Sequence, residues 1–204
     1  MIDVFEQIKP LLIFENKDDF YYLQILQRKK ENKELGSNSR VIKNYYINNL
    51  EYIEKRYDEI KRLCDMFNAR AMLRLNKRSY SKVAFKTIQN VANSMSNGEF
   101  EFIKKSYDRA CGNGHNDKNK KWIIDIDGDI LEYDINEILS IINEAQPYGE
   151  KLIVTLPTKN GIHLIVRPFN VTEFSKKYPN IDIHKDNPIN LYIPSEKIIT
   201  TDNG

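Results

Sequence analysis

The stretch from Trp122 to Gly128, WIIDIDG, constrains this chain more than any other. β-Branched and aromatic residues dominate its first five positions, which predicts a strand. On a strand alternate side chains share a face, so Asp125 and Asp127 point one way while Ile124 and Ile126 point the other. The isoleucines read as core. The acids do not, because adjacent carboxylates repel and burying either one unpaired costs several kcal/mol. One face of a sheet in this fold must therefore meet water or positive charge. A solvated edge running into an Asp-Gly turn satisfies the pattern. So does a hard divalent cation, which takes oxygen ligands and often only one or two carboxylates. The run also opens like a calcium loop. The sixth and twelfth positions counted from Asp125 hold Ile130 and Asn136, however, where such a loop needs Gly and Glu, and the calcium reading fails.

Around this strand the second half of the chain alternates elements regularly. A helix is expected over about Ile135 to Ala145, ended by Pro147 and Gly149. Strands follow at 151–157 and 162–168, joined by TKNG, whose Asn160-Gly161 pair is a strong hairpin signal. A further helix near 171–178 leads into NIDIHKDNPINLYIP, which reads as two short strands around Asn187-Pro188. Upstream, Leu50, Ile53, Tyr57 and Ile60 have helical spacing, predicting a long helix from Asn49 to Phe67. Residues 69–75 alternate as a strand does, and SKVAFKTIQNVANSMSNG predicts a second helix. Residues 3–30 look like two short helices broken after Pro10, and 28–40 look like a polar loop. The expectation is an α+β fold: a mixed, largely antiparallel RRM-like sheet containing 69–75, 122–127, 151–157 and 162–168, with flanking helices. A helical N-terminal region, 1–67, would precede the α/β core, 68–204.

At 204 residues, with 41% hydrophobic and 29% charged residues, the chain can bury a full core and has the composition of a soluble globular protein. Its net charge of +2 confines any basic surface to local clusters. Cys64 and Cys111 match no zinc or disulfide spacing, which favours a reducing compartment. Cys111, His115 and Asp117 fall in an expected loop and are not taken as a zinc site. No apolar run approaches the ~20 residues of a membrane span, and the first residues lack a signal-peptide profile.

His163 follows the hairpin at the head of an apolar strand. Arg167 is four residues on, on the same face by the period of two, and Lys159 sits in the turn. A lone His there is ordinarily a hairpin residue with one hydrogen bond. Beside paired acids, His and Arg are also what a metal-bound triphosphate demands, since the acids hold the cation and the cations meet phosphate oxygens. Asp182, between two isoleucines, adds a third acid. RLNKRSYSK, 74–82, interleaves Arg74, Lys77, Arg78 and Lys82 with Tyr80. It reads either as a solvated loop or as a nucleic-acid grip in which the cations meet phosphates and Tyr80 stacks on a base. QRKKENK and RVIKNYYI offer a second basic and aromatic surface.

WIIDID, TKNGIHLI and IDIHKDNPINLYIP together resemble, in order, the three motifs of the archaeo-eukaryotic primase superfamily, the catalytic core of primase-polymerases. The resemblance covers about residues 69–195, and Gly161 stands where many members carry Ser. It implies a metal-dependent nucleotidyltransferase that adds nucleoside triphosphates on a single-stranded template. Asp125, Asp127 and Asp182 would be the catalytic acids holding Mg²⁺ or Mn²⁺, and His163, with Lys159 and Arg167, would meet the nucleotide. It further implies a cytoplasmic setting, bacterial, phage or plasmid encoded, compatible with a helicase or replication partner and with no membrane. Two other readings stay open: a nucleic-acid-binding module of primase-like fold without turnover, and another metal enzyme with paired acids, a nuclease or a small-molecule nucleotidyltransferase.

Overall fold

A computed structural model describes residues 1–113, 117–128 and 133–195. In chain order the elements are β1 (Ile2–Asp3), α1 (Phe5–Ile8), β2 (Asp19–Gln27), β3 (Arg40–Ile47), α2 (Leu50–Phe67), β4 (Arg70–Arg74), β5 (Arg78–Ser79) and α3 (Tyr80–Ser96). They continue with α4 (Ser106–Asn113), β6 (Trp122–Asp127), α5 (Ile135–Glu144), β7 (Leu152–Pro157), β8 (Gly161–Val166), α6 (Thr172–Lys177), β9 (Asp182–His184) and β10 (Pro188–Ile193). Short 3-10 turns cover Lys9–Leu11, Lys29–Glu31 and Phe100–Lys105.

The helices form where side chains satisfy their ends and one face is apolar. Asn49 Oδ1 accepts the Tyr52 N–H at 2.7 Å to start α2, and Asn68 closes it in the left-handed region at φ 45°. The buried stripe of α2 is Ile53, Tyr57, Ile60 and Cys64, at helical spacing. Ser79 caps α3, and Asp134 caps α5 by accepting from the Asn136 and Glu137 N–H groups.

The strands build two sheets, antiparallel at every pairing. One runs β1-β10-β4-β2-β3, with β5 added to β2; the other runs β7-β8-β6-β9. The second sheet, with α5 after β6 and α6 after β8, has the β-α-β-β-α-β connectivity and strand order of the RRM-like, ferredoxin-like motif. One of its faces packs Ile124, Ile126, Leu164 and Val166 against Ile138, Ile142 and Phe174 of α5 and α6. Ile123, Leu156 and Ile165, from its other face, join the core built on the first sheet with Leu23, Ile25, Leu73 and Ile189.

Three expectations need correction. The strand at 70–74 does not join the sheet of 122–127; it lies between β10 and β2 in the other sheet. Alternation predicts a strand but not its partner. Residues 1–67 are not a helical region, since they supply β1, β2 and β3 beside α2. DFYYLQILQ reads as helix because its apolar run is nearly continuous. The strand is central and covered on both faces, Tyr21, Leu23 and Ile25 facing one core and Phe20 and Tyr22 another, so alternation is erased. Nor is 111–113 loop: Cys111 lies in the last turn of α4, while His115 is outside the described residues.

Candidate active site between the two sheets

β6 presents Asp125 and Asp127 on the face that turns toward the first sheet. Along that face the character changes from apolar Ile123, 2% exposed, to half-buried Asp125 and exposed Asp127. The neighbouring strands place polar groups at the same level. Asp125 lies directly opposite His163 of β8 on one side and Asp182 of β9 on the other, and Asp127 lies opposite Gly161. His163 Nε2 stands 3.2 Å from Asp125 Oδ1, and His184 Nε2 stands 3.6 Å from Asp125 Oδ2. Oδ1 is sealed from solvent and, with the His163 ring alongside, has no hydrogen bond of ordinary geometry. The His163 imidazole holds the Asp125 carboxyl below the usual carboxylate range; burial works against it and His184 adds to it.

Gly161 fixes how near β8 comes to the acids. A Cβ at this position would fall 1.9 Å from the Ile126 carbonyl oxygen, so Ser, or even Ala, would push the strands apart beside Asp127. The hairpin is closed by the Thr158 N–H donating to Gly161 O at 2.9 Å, and the Gly128 N–H donates to Asn160 O at 3.0 Å. Gly128 itself turns the chain at φ 96°, a conformation suited to glycine.

Across from these groups the first sheet contributes Arg28, Lys30 and Glu31 from the turn after β2, Arg70 from β4 and Asn190 from β10. With Asp125, Asp127, His163 and the hairpin residues Thr158, Lys159 and Asn160, they line a cleft of about 520 Å³. One wall carries the acids; the other carries two arginines and a lysine.

Of the residues expected from sequence, Asp125, Asp127, His163 and Lys159 converge on this cleft. Asp182 is exposed and level with Asp125 in register, but it is not among the cleft-lining residues. Arg167 lies past the end of β8 and donates to Glu150 O at 3.0 Å, away from the cleft. The grip expected at 74–82 is largely folded inward. Arg78 is fully buried on Asp186 and the Cys111 carbonyl, and Lys77 pairs with Asp19 and Glu15. Arg74 bonds the Asp186 carbonyl, and Tyr80 stacks on Phe20 at 4.2 Å between ring centroids. Lys82 alone of the five is exposed, in the first turn of α3. A buried cation with a full set of partners has none left for phosphate. Sequence reasoning missed His184, Glu31, Arg70 and Asn190. His184 is two residues past Asp182, so the strand period could have put it on the acidic face.

No group of three or more His, Cys, Asp or Glu side chains among the described residues converges as a ready-made metal cage. What the cleft offers is two carboxylates on one strand face, one with a sealed, unbonded oxygen. That donor set fits a hard cation such as Mg²⁺ or Mn²⁺, which completes its shell with water and substrate phosphates, better than it fits a metal held by protein alone. No family model, curated protein or solved structure matches this chain. Among the described residues, no helix is long and apolar enough to cross a membrane.

Proposed function

We propose that the chain is a metal-dependent nucleotidyltransferase of the primase-polymerase kind, adding nucleoside triphosphates to a strand directed by a single-stranded template. One observation carries this reading. Asp125 and His163 face each other on adjacent strands of an RRM-like sheet, beside Asp127, at the floor of a cleft whose far wall is cationic. Asp125 and Asp127 would hold Mg²⁺ or Mn²⁺. When bound, such an ion neutralises charge on a transferring phosphoryl group and makes an attacking hydroxyl more acidic. His163 and Lys159, both lining the cleft, would donate to phosphate oxygens, and the Asp125 contact would orient the His163 ring. Arg28 and Lys30 supply the charge that a triphosphate needs beyond what the acid-bound ion neutralises. Asp182, exposed and opposite Asp125 in register, would complete the acid set from β9.

The test is extension of a primed single-stranded template with labelled nucleotides and Mg²⁺ or Mn²⁺, comparing wild type with Asp125→Asn/Asp127→Asn. Incorporation by wild type, lost by about three orders of magnitude in the double variant, is expected. Equal incorporation by both would remove the acids from the reaction. Nucleotide binding without any incorporation would assign the cleft to a binding module. Attack on a small-molecule acceptor, or strand cleavage, would assign it to another metal enzyme.

A further inference from the structure

One cation of the far wall is not open to a ligand as it stands. Arg70, 5% exposed, is held by Glu31 in a two-pronged contact: Nε donates to Oε2 at 3.0 Å and Nη2 donates to Oε1. Arg28 Nη1 lies 3.9 Å from the same Oε1. A carboxylate engaged by two donors along one edge of a guanidinium, with a second arginine alongside, is the arrangement a phosphate group takes when arginines bind it. The carboxylate here comes from a three-residue 3-10 turn at the cleft, not from the core.

The turn is built so that this side chain can leave while its backbone stays. Asn32, 3% exposed, donates to the Arg28 and Asn68 carbonyls at 2.9 and 3.0 Å and accepts from Gln27 Nε2 at 3.2 Å. Asn68 Nδ2 donates to the Glu31 carbonyl at 3.2 Å. The backbone is thus fixed from both sides, and only the Glu31 side chain, 20% exposed, crosses to Arg70. On the other side Arg70 keeps Asn190 Oδ1 within 3.5 Å, so the guanidinium retains its place when the carboxylate withdraws. Within the turn, the long contact from Arg28 to that carboxylate is only partly buried and adds little to the backbone bonds that fix it.

We infer that Glu31 is an internal stand-in for the substrate's anion: Arg70, with Arg28, forms the receptor for the phosphate tail of a nucleoside triphosphate, and Glu31 closes it when no phosphate is bound. This rests on the nucleotide reading of the cleft and adds to it a competitor built into the chain. Arg70 becomes a substrate-binding residue and Glu31 a latch that lowers the apparent affinity to the fraction of molecules in which it stands open. The latch also keeps a buried guanidinium paired in the free protein, where an unpaired one would be strongly destabilising. It excludes ligands that cannot displace a carboxylate, such as a nucleoside without phosphates.

The experiment is calorimetric titration of inorganic tripolyphosphate and of dATP, each with Mn²⁺, into wild type, Glu31→Gln and Arg70→Lys. Gln keeps an acceptor for the guanidinium but removes the competing charge. Glu31→Gln is expected to bind both probes roughly three- to tenfold tighter, and Arg70→Lys about tenfold or more weaker, because Lys cannot bind two oxygens with one planar group. If Glu31→Gln melts well below wild type, Glu31→Asp provides the same reading, since its carboxylate is one methylene short of the two-pronged contact. If wild type binds tripolyphosphate and neither Glu31 variant binds it tighter, the latch is wrong and the nucleotide reading stands. If no protein in the set binds either probe, the latch falls together with that reading. Binding by the Glu31 variants alone supports a latch that is closed nearly all the time.

Discussion

β4 and β6 each have one end in a closed charged region and the other in an open one. At one end, Arg78 is fully buried and its donors go to the Cys111 and Asn76 carbonyls and to both Asp186 oxygens. Asn76, 1% exposed, donates to Lys121 O and accepts from Lys121 N–H, tying the start of β6 to the end of β4. Lys77, Asp19, Asp117 and Lys121 complete an inward-facing network in which Arg74 Nε is the one arginine nitrogen left sealed and unbonded. At the other end the same residue types stand differently. Asp125 Oδ1 is sealed without a hydrogen bond, Asp127 is exposed, and Arg70 is engaged by a carboxylate from a surface turn. The first region holds the two sheets together. The second holds interactions that something from outside can replace. The difference teaches that a cationic stretch in a sequence is uninformative until its partners are known: RLNKRSYSK and QRKKENK are both basic, yet the first is largely folded inward while the second, with Arg70, supplies the binding wall.

The sharpest way to break this contrast is to cut the closed region. Arg78→Met leaves Asp186 without its main partner inside the network and is expected to cost about 3–5 kcal/mol in urea-induced unfolding. A loss under about 1 kcal/mol would mean that the network does not clamp the sheets.

Substitution in the open region should act on ligand and not on fold. His163→Ala is expected to weaken nucleotide binding and incorporation by about one to two orders of magnitude while Mn²⁺ affinity in the absence of nucleotide survives, because the carboxylates remain. Unchanged nucleotide use would reduce His163 to a hairpin residue.

The smallest effect concerns acid. Asp125 has a folded-state pKa held below its ordinary 3.8, chiefly by His163, so it binds its proton less readily in the folded chain than in the unfolded one. Its contribution to stability is therefore complete above about pH 4 and is lost as pH falls through the depressed folded value. Thermal melting of wild type and Asp125→Asn should converge as pH falls from 5 toward 3. A gap that is constant across that range would show that the His163 contact contributes nothing to folding.

Much of the second sheet was legible because its signals are local. Asn160-Gly161 announced the β7–β8 hairpin, alternation in WIIDID placed both acids on one face, and the capped amphipathic α2 and α5 were found nearly to the residue. The first sheet was obscured for a physical reason: β2 is buried on both faces and so lost its period. Pairing between β4 and β10 joins residues more than a hundred positions apart, which no local pattern encodes. The site divided along the same line. The period put Asp125 and Asp127 on one face and the hairpin placed His163 at the head of β8, whereas the pairing of β6 with β8, and the arrival of Arg70 and Glu31 from the other sheet, are non-local. Gly161, which the sequence offers as the second residue of a hairpin turn, has a steric reason in this fold, where the Ile126 carbonyl leaves no room for a Cβ.

The return of β10 between β1 and β4 has a consequence for how the molecule is made. Ile2 pairs with Ile193, and Leu73 pairs with Ile189, so the first wall of the cleft cannot be completed until every strand of the second wall has been synthesised. A nascent chain ending before residue 188 would carry β4 as an unpaired edge, with the acids of β6 already in place but no finished partner opposite them. Closing such distant pairs is slow. The cleft should therefore emerge late and all at once, with both walls complete from the moment it exists.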